Sequence, residues 1–391
     1  MELLEDLFTA YYDARRNKRN TANQLKFELR LEDNLLRLYH QLKNRTYHPG
    51  RSVAFIIDKP VKREVFAASF TDRVIHHLYF NYINEICERT FINDCYSCRK
   101  GRGTLYGIRR LEHHIRSCSQ NYTRECYVLK LDLSGYFMSI DRRRLYEKIV
   151  IMLNKYADRK NIDGRRYREA LDYDLILYLT REIVFNDPVS DCFIKSMGGM
   201  REWDGLPTDK SLFHAAEECG LPIGNLTSQL FSNIYLSGFD HYIKRTLNVR
   251  HYGRYVDDFF IVHTSKEYLT QLIEQARVYL EHELGIVLHP RKIYLQNIFR
   301  GVPFLGAVIK PHRSYVQKRT LTNFRQAMAK GERFYRHAPV TLLQTLNSYL
   351  GFMRHHKSFR LRKGIITKNQ WIFRYGWVDV RYCRFQYEKF Y

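Results

Sequence analysis

Residues Tyr252–His263 read YGRYVDDFFIVH. The apolar residues of this stretch predict two short β-strands joined as a hairpin, with the adjacent acids Asp257 and Asp258 at the turn. A carboxylate inside such an apolar run is costly unless a cation compensates it. An arginine could do so, but Mg²⁺ fits better, because it binds one or two protein carboxylates and completes its coordination with phosphates. The alternative is that the two acids form only a polar hairpin turn.

A third acid ends a second predicted strand. Residues 127–133 read YVLKLDL, with apolar side chains at every second position and with Lys130 and Asp132 on the opposite face. Three carboxylates on two neighbouring strands of a basic protein are typical of two-metal phosphoryl or nucleotidyl transfer, in which one ion activates the attacking oxygen and the other the leaving group. Asp132, Asp257 and Asp258 are therefore the candidate catalytic residues.

The composition indicates a folded protein with a polyanionic partner. The 391 residues include 64 Lys and Arg against 41 Asp and Glu, a net charge of +23, and 45% of them are hydrophobic. This much apolar surface excludes a disordered chain. Residues 313–391 hold 17 Lys and Arg, 3 Asp and Glu and 16 aromatic residues. Basic residues mixed with aromatic ones are typical of a nucleic-acid surface, although many of these rings are expected to pack a core.

Other features argue against a membrane or exported protein. No apolar run approaches the roughly 18 residues that a spanning helix needs, and acids stand near the start where a signal peptide has basic residues. Eight cysteines are too few for a disulfide framework, so we expect a reducing cytoplasm. Cys95 and Cys98 form one C-x-x-C motif, which without a second pair favours two half-buried thiols over a structural zinc site.

Hydrophobic periodicity predicts the remaining elements. Helices are expected at 1–50, 66–86 and 225–247, and strands at 53–57 and from Pro303 to Gly306. The more polar stretch at 158–220 is expected to be an insertion and not a separate domain.

The pattern Tyr255-Val256-Asp257-Asp258 resembles the Y-x-D-D signature of reverse transcriptases, and the other blocks of that family occur in the family's order. The matching blocks are Lys59–Glu64 with Asp72–His76 and Asp94–Thr104 in the fingers, Asp132–Phe137 and Lys292 in the palm, Phe304–Gly306 as the primer grip, and Leu346–Gly351 in the thumb.

The resemblance implies an α+β fold of the right-hand polymerase type, in which an antiparallel palm sheet carries the catalytic carboxylates and the thumb is helical. The expected divisions are an N-terminal helical segment at 1–50, fingers at 51–125, a palm at 126–312 with the fingers-type insertion at about 158–220, and a thumb with a basic aromatic tail at 313–391.

One block narrows the resemblance. Where most reverse transcriptases have Gln-Gly-x-x-x-Ser-Pro, residues 223–229 read IGNLTSQ, which is similar to the reverse transcriptases of diversity-generating retroelements. These enzymes copy a template-repeat RNA into cDNA with adenine-biased errors, for mutagenic retrohoming into a variable gene. The resemblance also implies an oligomeric accessory variability protein as a partner, and a place in the cytoplasm of a bacterial or phage-infected cell. The alternatives are a reverse transcriptase of the retron or phage-defence type and a non-catalytic RNA-binding relative.

The resemblance assigns roles to individual residues. Asp132, Asp257 and Asp258, with the backbone carbonyl of Leu133, would hold two Mg²⁺ ions, with Mn²⁺ as the substitute. The other implied roles are dNTP binding by Lys59, Arg63, Phe137, Ile223, Gly224 and Gln229, the palm lysine at Lys292, and the primer grip at Phe304, Leu305 and Gly306. Phe137 stands where the family excludes a ribose 2′-hydroxyl, and Lys59 and Arg63 could instead form a solvated basic edge. Template RNA, the RNA–DNA hybrid and dNTPs are the implied ligands.

Overall fold

The computed structural model describes residues 3–16, 21–58, 61–196 and 198–387. The helices are α1 (Leu3–Arg15), α2 (Ala22–Glu28), α3 (Leu31–Lys43), α4 (Phe70–Thr90), α5 (Thr104–Cys118), α6 (Arg142–Ala157), α7 (Tyr167–Ala170), α8 (Tyr173–Val184), α9 (Leu226–His241), α10 (Lys266–Leu284), α11 (Lys318–Ala329), α12 (Gly331–Arg336), α13 (Pro339–Met353) and α14 (Phe359–Lys368).

The strands are short. They are β1 (Ser52–Ile57), β2 (Arg63–Ala67), β3 (Tyr127–Leu131), β4 (Cys192–Ile194), β5 (Tyr252–Tyr255), β6 (Asp258–His263), β7 (Tyr294–Asn297), β8 (Val302–Phe304), β9 (Ala307–Lys310), β10 (Arg313–Val316), β11 (Gly376–Val378) and β12 (Phe385–Tyr387). They form sheets in the orders β2–β1–β4, β5–β6–β3–β7, β8–β9–β10 and β11–β12. β3 and β7 are antiparallel, with Tyr127 opposite Asn297 and Lys130 opposite Tyr294.

The chain divides into two compact units. The first consists of Met1–Gly103, Leu131–Phe259 and Thr270–Ile293, and the second of Thr104–Lys130, Phe260–Leu269 and Tyr294–Tyr391. The expected boundaries at residues 50, 125 and 312 stay a prediction.

In the first unit, helices pack through buried apolar side chains, although Leu25, Leu29 and Leu36 of the predicted helical segment are exposed. α1 packs against α4 and buries Leu7, Ala10 and Tyr11. α9 is buried on nearly all sides, as expected for a helix with few charged residues, and it continues as a π-helical turn at Tyr242–Thr246. The helices predicted within 1–50 and 225–247 are thus confirmed over the described residues.

The helix predicted from residue 66 begins later. Phe66 belongs to β2, and α4 starts only at Phe70. Ser69 is the reason, because its Oγ accepts a hydrogen bond from the backbone N–H of Asp72 at 3.1 Å and so caps the helix. The 158–220 stretch contributes β4, which pairs in parallel with β1.

The second unit has a helical core with short hairpins. Phe324, Leu346, Leu350 and Ile366 are buried in one cluster formed by α11, α13 and α14. The strand expected at Pro303–Gly306 is only partly right, since β8 ends at Phe304 and the next two residues form the turn to β9. Among the described residues, no helix has the length and apolar character needed to cross a bilayer.

Candidate active site

The two adjacent acids lie where β5 turns into β6, both within the first unit. The turn itself is formed by Val256 and Asp257, whereas Asp258 is the first residue of β6, so the acids are not both at the turn as predicted. Val256 has a φ of +56°, which is strained for a β-branched residue. Its backbone N–H donates to Ser97 Oγ at 3.1 Å and its carbonyl accepts from Arg254 Nη1 at 2.8 Å. These two bonds hold the strained turn in place.

A fully buried ion pair supports the same turn. Arg254 donates to Asp240 through Nη2 at 2.6 Å and through Nε at 2.8 Å, and both side chains are completely inaccessible to solvent. Tyr252 donates its hydroxyl to the same carboxylate at 2.6 Å, and Arg254 Nη1 also reaches Asn233 Oδ1 at 3.2 Å. A paired arrangement of this kind fixes the direction of β5 and leaves neither charge without a partner.

The segment Asp94–Ser97 runs along the outer side of β5. The backbone N–H of Arg254 donates to the carbonyl of Asp94 at 2.8 Å, and the backbone N–H of Tyr96 donates to the carbonyl of Arg254 at 2.9 Å. Within the C-x-x-C motif, Cys95 is buried and Cys98 is exposed. Both are free thiols, but they are not the two half-buried thiols that were expected, since one is fully buried and the other is exposed.

Asp132 directly follows β3 and contacts the predicted palm lysine. Lys292 Nζ lies 2.5 Å from Asp132 Oδ2, and the backbone carbonyl of Asp132 accepts from the N–H of His289 at 2.9 Å. Leu133 forms an isolated β-bridge with Leu288. The 288–292 segment therefore positions Asp132 and neutralises part of its charge.

The three acids and Arg63 influence one another electrostatically. Burial, together with the negative charges of Asp132 and Asp258, raises the pKa of Asp257 to about 6, although the guanidinium of Arg63 acts in the opposite direction. Four residues that the sequence singled out thus share one electrostatic neighbourhood. Within the described parts of the chain, no three His, Cys, Asp or Glu side chains are grouped closely enough to hold a metal ion as they stand.

Phe137 and Ile223 lie in a common apolar cluster. Both are partly buried against a core that includes Phe66, Met138 and Trp203. Phe137 belongs to a 3₁₀ turn at Tyr136–Met138 that follows the Asp132 strand. The two residues expected to contact the sugar and the base of a nucleotide are therefore brought together.

Gly224 is required by a close approach of β2. It has a φ of +128°, and a Cβ at this position would stand 2.8 Å from Val65 Cγ1 and 3.1 Å from the carbonyl oxygen of Phe66. The backbone N–H of Phe66 donates to the carbonyl of Ile223 at 2.9 Å. Gln229, one turn into α9, is exposed and accepts from Cys98 Sγ at 3.2 Å.

Arg63 opens β2 and is exposed, whereas its neighbour Glu64 is buried. Glu64 accepts hydrogen bonds from Trp203 Nε1 at 2.6 Å, from Ser211 Oγ at 2.7 Å and from the backbone N–H of Leu212 at 2.5 Å. These bonds attach the 158–220 stretch to the strand that carries Arg63. Lys59 lies outside the described residues.

The primer-grip block lies in the second unit. The ring of Phe304 packs edge-on against Phe260 at 5.4 Å, and the Nζ of Lys130 lies 5.4 Å from the same ring. Leu305 and Gly306 have φ values of +46° and +87°, which form the tight turn between β8 and β9.

Known proteins resemble this chain at low sequence identity. No protein-family model matches the chain. Protein YkfC of Escherichia coli K12 is 24% identical over 347 residues, which cover 79% of this chain and 80% of that protein. Among solved structures, Candida albicans telomerase in complex with a fragment of telomeric RNA has a TM-score of 0.50 at 11% identity over 84% of this chain. Apo telomerase from Candida tropicalis has a TM-score of 0.46 at 12% identity.

The chain has a reverse-transcriptase-like fold. The likeness is to the mixed helix and strand architecture of a right-hand polymerase. The chain spans 56% of the length of the Candida albicans telomerase chain that it matches.

Several residues that support the site were missed at the sequence level. No role was predicted for Arg254 and Asp240, which lie in apolar runs, and Glu64 was named only as the end of the Lys59–Glu64 block. The available signal was a charged residue on a strand face or helix face that is otherwise apolar, because such a residue needs a buried partner.

Proposed function

We propose that this protein is an RNA-directed DNA polymerase that extends a primer by nucleotidyl transfer. The observation that carries the proposal is the mutual electrostatic influence of Asp132, Asp257 and Asp258, beside Arg63, in a reverse-transcriptase-like fold. A concentration of negative charge at a half-buried hairpin turn is suited to a divalent cation, which relieves the cost of ionising all three acids.

In this proposal Asp132, Asp257, Asp258 and the carbonyl of Leu133 hold two Mg²⁺ ions, or Mn²⁺ in their place. The bound metals supply an activated primer hydroxyl and a neutralised pyrophosphate leaving group. Lys292 contacts Asp132, so a cation bound by this carboxylate would compete with that ammonium group.

Other residues of the chain bind the incoming dNTP. Arg63, with Lys59, clamps the triphosphate, since cations near a departing pyrophosphate stabilise its developing charge. Phe137 stacks behind the sugar and excludes a ribose 2′-hydroxyl. Gly224 lets the backbone pass close beneath the base pair. Gln229, on the following helical turn, completes the set of dNTP-binding residues.

Primer extension on an RNA template tests the polymerase activity. With Mg²⁺ and dNTPs, the purified protein should extend an annealed primer, and Asp257→Ala should abolish synthesis. The matched control is Asp33→Ala. Asp33 is exposed on α3 and is distant in sequence from the three acids, so this substitution removes the same charge away from them. Synthesis that persists in Asp257→Ala would contradict the two-metal assignment.

The finer proposal is that the enzyme serves a diversity-generating retroelement in the cytoplasm of a bacterial or phage-infected cell. It would copy a template-repeat RNA with adenine-biased errors for mutagenic retrohoming, together with an oligomeric accessory variability protein. Ile223 supports this assignment, because an isoleucine cannot make the hydrogen bond that the family's usual glutamine offers to the nucleotide. Sequencing of cDNA made by Ile223→Gln on an adenine-rich template should show fewer errors at adenine, and an unchanged error rate there would refute this role.

The basic second unit would hold the RNA–DNA hybrid, with the turn at Phe304, Leu305 and Gly306 as the primer grip. If phosphate contacts dominate, hybrid affinity falls steeply as the salt concentration rises. A hybrid affinity that is unchanged between about 50 and 200 mM salt would exclude this mode of binding.

A further inference from the structure

The second unit contains a cavity of about 560 Å³ that the proposed catalytic site does not use. Three parts of the chain form its walls. They are Arg354 and His355 after α13, Phe359 and Arg362 in α14, and the loop 379–383 between β11 and β12. A volume of this size is in the usual range for a small-ligand site.

The cavity is positively charged. Arg354, Arg362 and Arg381 line it together with one carboxylate, that of Asp379. Asp379 Oδ1 accepts hydrogen bonds from the backbone N–H groups of residues 383 and 384, so this carboxylate already serves to close the loop. Desolvation and the neighbouring cations, Arg354 among them, lower the pKa of His355. The surplus of cations suits an anionic ligand.

One guanidinium is fixed in place before any ligand arrives. Arg362 is 5% exposed, and it donates through Nε to Ser358 Oγ at 3.2 Å and through Nη1 to the carbonyls of Arg381 at 2.9 Å and Tyr382 at 2.7 Å. In the portion of the chain that the structure describes, its Nη2 has no acceptor. A donor that is already immobilised loses little conformational entropy on binding an anion.

An aromatic ring also lines the cavity, beside the basic groups. Phe359 is 48% exposed and touches Tyr382 only edge-on, at a centroid distance of 5.9 Å. An accessible ring beside basic groups is the usual platform for a nucleobase. Bases inside a duplex are already stacked on their neighbours, so such a ring is suited to an unpaired base.

We propose that this cavity binds one unpaired nucleotide of a single-stranded nucleic acid, with its base on Phe359 and its phosphate at Arg354, Arg362 and Arg381. This goes beyond the proposed polymerase activity, because none of these residues belongs to the candidate catalytic site. A strand bound here is anchored without being copied.

Fluorescence anisotropy with labelled 12-nucleotide single strands, one DNA and one RNA, tests the cavity in Mg²⁺-free buffer. The full chain carries Asp257→Asn so that no synthesis occurs. Phe359→Ala should weaken binding about tenfold or more, whereas Phe373→Ala should change it less than twofold. Phe373 is the matched control because it is 46% exposed in the same unit and does not line the cavity. Phe359→Tyr keeps the ring and should keep the affinity.

Salt dependence tests the phosphate contact. Arg381→Ala should reduce the slope of log affinity against log salt by about 0.7, the value for one phosphate of a single strand. Arg333→Ala, an exposed arginine outside the cavity, should leave the slope unchanged.

Three results would overturn the proposal. The first is an equal loss of strand affinity in Phe359→Ala and Phe373→Ala, and the second is full affinity in Phe359→Ala. The third is competition by a nucleoside monophosphate that is as strong as competition by the strand at equal nucleotide concentration, which would assign the cavity to a free nucleotide. Comparison of the DNA and RNA strands identifies the source of the bound nucleotide. A protein that fails to extend primers but shows the expected binding pattern loses only the polymerase proposal.

Discussion

Replacing Asp257 with asparagine should stabilise the metal-free protein while removing its proposed activity. Burial, together with Asp132 and Asp258, raises the pKa of Asp257 from its ordinary 3.8 to about 6. The folded state therefore favours the protonated carboxyl. This contribution to stability is complete below about pH 3.8, and it is lost as the pH rises through about 6.

The expected size follows from the two pKa values. A difference of about two pH units corresponds to about 3 kcal/mol at 1.36 kcal/mol per unit. Because the side chain is only partly shielded from water and asparagine loses some hydrogen bonding, we expect Asp257→Asn to raise the free energy of unfolding by about 2 kcal/mol at pH 8. The gain should shrink below pH 6 and vanish near pH 4.

Urea denaturation in EDTA at a series of pH values measures this effect. Asp33→Asn serves as the control, because this exposed acid should give a difference that stays near zero at every pH. Added Mg²⁺ should stabilise the original protein more than Asp257→Asn. A variant that is less stable than the original at pH 8, or a difference that does not depend on pH, would refute the reasoning.

Two further predictions concern the supports of the site. Asp240→Ala leaves Arg254 buried and unpaired, so the free energy of unfolding should fall by about 3–5 kcal/mol in urea denaturation; a loss below about 1 kcal/mol would mean that water reaches the guanidinium. Gly224→Ala forces a Cβ against β2 at a positive φ, and should cost about 1–3 kcal/mol and most primer extension. Gly364→Ala, in α14 with no atom within 4 Å of the added Cβ, should be neutral or slightly stabilising, and equal losses in the two glycine variants would contradict the steric argument.

Much of the local structure around the acids could be predicted from the sequence. The alternation in residues 127–133 and the apolar runs beside Asp257 are local signals, and they predict β3, β5 and β6. The turn between β5 and β6 was misplaced by one residue because Val256, a residue that normally avoids a positive φ, takes the left-handed conformation. One of the two bonds that hold this conformation comes from Ser97, 159 residues earlier in the chain, so no local pattern reveals it.

The contacts that support the site could not be predicted from the sequence for the same reason. Glu64 is bound by donors about 140 residues later in the chain, and Arg254 reaches Asp240 across a helix and a turn. Hydrophobic periodicity identifies a buried face, but it does not identify which buried charges meet. The later start of α4 was predictable, because Ser69 is a local helix-capping signal that follows the apolar run.

The segment Asp94–Ser97 has a consequence for how this protein folds. β5 is an outer strand of its sheet, and this segment occupies the backbone N–H and carbonyl of Arg254 at its centre, which hinders pairing with another chain. Because about 160 residues separate the two segments, the loop between them must close before these bonds form, which is entropically costly and slow. The turn carrying Asp257 is therefore expected to reach its final shape late in folding, and truncated or partly folded chains should lack a formed catalytic turn.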